Sequence, residues 1–242
     1  MREGRLFYLT KSPFLRISYS AQYTVNRKLL FSGLYFNPKK MPKTEEIING
    51  LQSIVNDYST FAIIWHAVFY FLMAGLIAKW QPSNKLFGIL LCLPLISVSV
   101  FAWLSGNPFN GILFSVITIL IFIFGLSASN QPIHISKAPF MVIGILMIVF
   151  GLVYPHFINS SSFLKYFYAS PVGLIPCPTL SILIGFLLLY NGFSSQSITI
   201  TFIAFGLFYG IFGVLKLAVY LDIILILGSI TLLVKYFMPL KA

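Results

Sequence analysis

Tyr168-Ala169-Ser170-Pro171-Val172-Gly173-Leu174-Ile175-Pro176-Cys177-Pro178-Thr179 stands between two apolar blocks, and the number of helices in the fold depends on how it is read. The apolar run behind it, 179–190, is shorter than the about 20 residues that a straight helix needs to cross a bilayer. It reaches across only if part of 170–178 descends with it. Irregular backbone at membrane depth is tolerated where protein or a water-filled cavity surrounds it. Two readings therefore stand side by side. In one, the stretch is a broken or re-entrant entry of the kind from which transporter sites are built; in the other, it is an interfacial loop that its prolines stiffen.

The polar interruption begins earlier, at Tyr154-Pro155-His156-Phe157, and continues through Ser160-Ser161-Ser162. Residues 154–179 hold one of the chain's 3 histidines, one of its 2 cysteines and four of its 13 prolines, so a site is sought here first. The candidate site-lining residues are Tyr154, His156, Tyr168, Ser170, Pro171, Pro176, Cys177 and Thr179, joined from elsewhere by Asn107 and Asp222. Each X-Pro step holds the residue before it extended, which places Ile175 and Cys177 ahead of the helix and Pro178 at its first position. Cys177 then lies beside a helix N-terminus, where the dipole favours an anion. It is either a reactive thiol or a small filler, and the filler is the simpler reading because no basic residue adjoins it.

Working outward, 58% hydrophobic against 9% charged residues leaves too little polar surface for a water-soluble globule of 242 residues. A mean hydropathy of +0.92 agrees. The apolar runs are continuous, not alternating, so the expected class is all-α: an integral membrane helical bundle of about seven transmembrane helices. The expected spans are 61–78, 86–104 with Pro94 inside, one from the 105–111 turn to about 126, 139–154, 179–190, 198–215 and 223–237. Ahead of them, Thr44-Glu45-Glu46-Ile47-Ile48 opens an amphipathic helix with acids in its first turn, expected at the membrane interface. His66 is expected at an interface, and the 127–139 connection is expected in solvent. Gly206, Gly210 and Gly213 permit close helix approach. Asp222 has two readings: a side-chain cap of the last span, which is the simpler one, or an intramembrane proton relay.

The net charge of +11 is concentrated: residues 1–40 hold eight basic residues and one acidic. That distribution points to anionic lipid as partner and away from nucleic acid. Residues 1–40 lack the apolar core of a signal peptide, and Met41 is read as the natural start. The domain division is thus a basic extension, 1–40, expected not to be native, and one transmembrane domain, 41–242. Without the extension, Lys43, Lys165 and Lys216 oppose Lys79, Lys85, Lys137, Lys235 and Lys241, which places the polar stretch outside the cytoplasm; with it, the bias reverses. No paired CxxC or HExxH spacing is present, so no metal and no cofactor is expected.

The run from Tyr168 to Thr179, the apolar helix with Gly185 behind it, and the Asn107-Pro108-Phe109-Asn110 turn together carry a resemblance. Over 41–242 the chain resembles an uncharacterised family of bacterial multi-pass membrane proteins with a Ser-Pro, then Pro-Cys-Pro-Thr, loop before the fifth span. The resemblance implies a bacterial inner membrane and supplies no reaction, ligand or catalytic residue. The leading functional expectation is a permease-like protein that binds or passes a small solute, with the loop lining the site. The alternatives are an intramembrane enzyme using Cys177, with His156 as its base, and a structural or assembly subunit.

Overall fold

The structure, a computed structural model, describes residues 43–159, 162–191 and 195–238. The 1–40 extension, Met41, Ser160, Ser161 and Lys241 lie outside the described residues.

Helix α1, Thr44–Asp57, starts where Glu45 and Glu46 favour the helix dipole; the Glu46 carboxylate accepts from the Lys43 N–H at 3.1 Å. Its apolar spacing buries Leu51, Ile54 and Val55. A 72° bend separates it from α2, Ser59–Ile77. Helices α3, Asn84–Leu104, and α4, Pro108–Leu126, form the antiparallel hairpin that their short turn dictates. The Ser83 hydroxyl accepts from the Leu86 N–H, and the Asn107 side chain accepts from the Asn110 N–H, closing one orphan donor at each start. Then follow α5, Ala138–Leu152, α6, Pro176–Leu189, α7, Gln196–Lys216, and α8, Ile223–Phe237. Two-residue strands, β1 (His134–Ile135) and β2 (Tyr190–Asn191), pair antiparallel with His134 opposite Asn191.

The fold is all-α, as the apolar runs require. Among the described residues four helices, not seven, are long and apolar enough to cross a membrane: α3, α4, α7, and α8 with the turn that precedes it, Tyr220–Phe237. Helices α5 and α6 are apolar but have 15 and 14 residues. The reason lies in the polar stretch between them, which lengthens neither helix; its last part, 169–175, is buried.

Helix α6 is the axis of the molecule. Every side chain on it is buried except Cys177, which is partly exposed, so α5, α7, α8 and α3 surround it. The α5 contact is backbone to backbone: a Cβ on Gly185 would lie 2.7 Å from the Gly144 carbonyl oxygen. Helix α7 presents Gly206 to Ser229 and Gly210 to Ile226 of α8, the close approach that its glycines permit. Apolar side chains such as Phe71, Leu146 and Ile119 remain exposed around the outside, the pattern of a bundle solvated by lipid.

Residues 170–175, the entry to α6, are buried throughout. The segment is packed within the protein, whatever its depth in the bilayer. The buried backbone is satisfied within the protein: the Gly173 N–H donates to Thr179 Oγ1 at 2.9 Å, the Ser97 hydroxyl donates to the Gly173 carbonyl at 2.6 Å, and the Leu174 and Ile175 N–H groups reach the Pro171 carbonyl. Helix α6 also begins earlier than 179. Pro176 takes its first turn and Ile175 is the extended residue before it, so Cys177 is inside the helix, not ahead of it.

Candidate functional site

Three of the sequence candidates converge. Tyr154, just beyond α5, donates its phenol O–H to Asp222 Oδ1 at 2.7 Å, and the Cys177 thiol donates to Asp222 Oδ2 at 3.1 Å. Both carboxylate oxygens are thus engaged. Asp222 is 1% exposed and Tyr154 is fully buried. Burying a carboxylate is costly unless donors replace its water, and here an O–H and an S–H do so at the N-terminal end of α6, whose dipole favours negative charge. The closeness is made possible by Gly213 of α7, where a Cβ would overlap the carboxylate. The side-chain cap reading of Asp222 is corrected: it stands at the position before α8, yet its carboxylate makes no cap bond and turns to α6 and the Tyr154 segment instead.

The phenol is fixed as a donor. The ionised Asp222 carboxylate has no proton to give and can only accept from it. For the thiol the same proximity has a different meaning. Ionising Cys177 would place a second negative charge against Asp222, so the arrangement favours one negative charge shared by three groups. His156 does not serve the thiol, which donates to Asp222. Its ring stacks edge-on against Phe157, with centroids 4.2 Å apart, and burial lowers its pKa below the ordinary histidine value.

The remaining candidates are elsewhere. Tyr168 is exposed and stands apart from the buried cluster. Ser170 is buried, but its hydroxyl donates to the Gly151 carbonyl at 3.1 Å and lies 3.4 Å from His66 Nε2. Thr179 and Pro171 shape the α6 entry, Pro176 starts the helix, and Asn107 caps α4. Among the described residues, His, Cys, Asp and Glu form no group of three that could hold a metal ion.

Two residues were missed. His66, expected at an interface, is 1% exposed, with its ring nitrogens 2.8 Å from the Ala62 carbonyl and 2.9 Å from that of Leu152 at the end of α5. Lys235, counted as a surface charge, donates to Ser136 Oγ at 2.7 Å and to the carbonyls of Leu187, Leu188 and Tyr190 at the end of α6. A lone basic residue inside an apolar run was the available signal.

A second apolar cluster joins α1 to the Tyr154 side of the site. It comprises Leu51, Ile54 and Val55 of α1 with Tyr154, Leu174 and Leu217, and Cys177 packs against it. No family model, no curated protein and no solved structure matches the chain.

Proposed function

We propose that this chain is a multi-pass protein of the bacterial inner membrane that passes a small solute, and that Asp222 takes up and releases a proton as it does so. In this reading α2, α5 and α6 complete the bundle begun by the four longer helices, giving seven passes, with lipid as the surrounding partner. The observation that carries it is the buried Asp222 carboxylate, held by Tyr154 and Cys177 beside the buried 170–175 segment that leads into α6. An ionisable group at membrane depth is expensive and is retained where protons or solutes move. The two donors can stabilise the charged form, and each can turn when the carboxylate is protonated.

The test is proton flux. Proteoliposomes loaded with a pH-sensitive dye and given an inside-negative potassium diffusion potential should acidify with the wild-type chain and not with Asp222→Asn, which keeps the shape and removes the titration. Equal rates for the two would remove Asp222 from the mechanism. The thiol-enzyme reading is supported by the Cys177–Asp222 contact alone, and the second negative charge it requires weighs against it. Flux retained in Cys177→Ser would separate the two readings.

A further inference from the structure

We infer that α1 is a strap that shuts the Asp222 site and lifts to open it, a regulation that rests on the proposed role of that site. Two chain segments carry the site from outside α6: 154–159, with Tyr154, and 216–222, with Asp222. Helix α1 is tied to both. At its N-terminal end the Thr44 hydroxyl donates to the Lys216 carbonyl at 3.1 Å. At its C-terminal end the Asn56 amide donates to the Phe157 carbonyl at 3.2 Å, and its oxygen accepts from the Asn159 N–H at 3.1 Å. Between these latches the buried face of α1 belongs to one apolar cluster with Tyr154 and Leu217. From Thr44 to Asn56 the helix rises about 18 Å over twelve steps, so a single helix holds both segments together.

The two segments are strained where the strap holds them. Phe157 has φ 71° and Ala218 has φ 54°, left-handed conformations that side-chain-bearing residues adopt at a cost. Phe157 is the residue whose carbonyl Asn56 grips, and Ala218 lies two residues beyond the carbonyl that Thr44 grips. The latches are few and polar, and those at Thr44 and Asn159 are exposed, so water can replace them. The 72° bend between α1 and α2 puts a hinge at one end of the strap. Cys177 is partly exposed beneath it and is the first site atom that lifting would uncover.

Cysteine labelling tests this, because the chain carries its own control. Cys92 is buried between α3 and α4, its Sγ 3.8 Å from the Thr118 carbonyl and far in sequence from the strap. The full chain in proteoliposomes is treated with N-ethylmaleimide, and modification of each cysteine is followed by peptide mass spectrometry. Thr44→Val and Asn56→Leu each remove a latch. Losing a hydrogen bond of ordinary strength should raise the Cys177 rate up to about tenfold while leaving Cys92 unchanged. An unchanged Cys177 rate, or a parallel rise at both cysteines, overturns the strap. Should neither variant fold, hydrogen exchange on the wild-type chain decides: α1 amides should exchange together and faster than those of α6, and equal protection would overturn the idea. The readout is independent of flux. Latch-controlled labelling without proton flux defeats only the transport reading, and flux with latch-independent labelling defeats only the strap.

Discussion

At Gly173 the backbone has φ +73°, and the Trp65 indole fills the space a Cβ would need. The same indole donates to Ser97 Oγ at 2.8 Å, and Ser97 donates on to the Gly173 carbonyl, so Gly173→Ala disturbs both the turn and its support. Left-handed strain and overpacking together should cost about 2–4 kcal/mol, read as a lower melting temperature in detergent. A second expectation concerns His156. Burial lowers its pKa, so the folded state binds fewer protons than the unfolded state just below the ordinary value of 6.5. Its contribution is present above that value and is lost as pH falls from there toward the folded-state value. Between pH 7 and pH 5 the melting temperature of the wild-type chain should therefore fall further, or rise less, than that of His156→Gln; an identical slope in the two would show that His156 contributes nothing. Tyr154, Cys177 and Asp222 could each be picked out of the sequence as polar groups beside apolar runs. Their union could not, because the Tyr154–Asp222 bond joins residues 68 apart and local spacing carries no trace of such a pairing.

Helix α6 shows what periodicity can and cannot reveal. A buried helix is apolar all round, so its existence was plain while its faces were not. Its start was misjudged by three residues because a Pro-Cys-Pro run suits the first turn of a helix as well as the loop before it. Its two ends are matched by one neighbour: the Asp222 carboxylate lies at the N-terminal end and the Lys235 ammonium at the C-terminal end, about 20 Å apart along α8. Helix α8 therefore runs parallel to α6 and opposes its macrodipole at both poles. Lys235→Met should leave the carbonyls of Leu187, Leu188 and Tyr190 without this donor, at a cost of about 3 kcal/mol or more. Thermal unfolding would check this, with Lys235→Arg losing less than Met.

For the whole molecule, membrane character and helical class followed from composition, whereas orientation did not. The expected excess of lysines on one face counted Lys235, which turns inward. On the seven-pass reading Lys79, Lys85, Lys137 and Lys241 then stand against Lys43, Lys165 and Lys216, four against three, a margin too thin for the positive-inside argument to choose by itself. The eight basic residues of 1–40 should then decide: a reporter fused after 242 should show one orientation for the full chain and a mixture once 1–40 is removed. A single orientation for both would show that the helices themselves set it. The enclosure of α6 also bears on how the protein is made. A segment of 14 residues, opened by two prolines and shorter than the bilayer is thick, is a weak insertion signal when it leaves the ribosome. Its partners α7 and α8 have not yet been synthesised at that moment. The segment must therefore wait at the translocon or at the membrane surface until they arrive, and biogenesis of the bundle is completed from its C-terminal end inward.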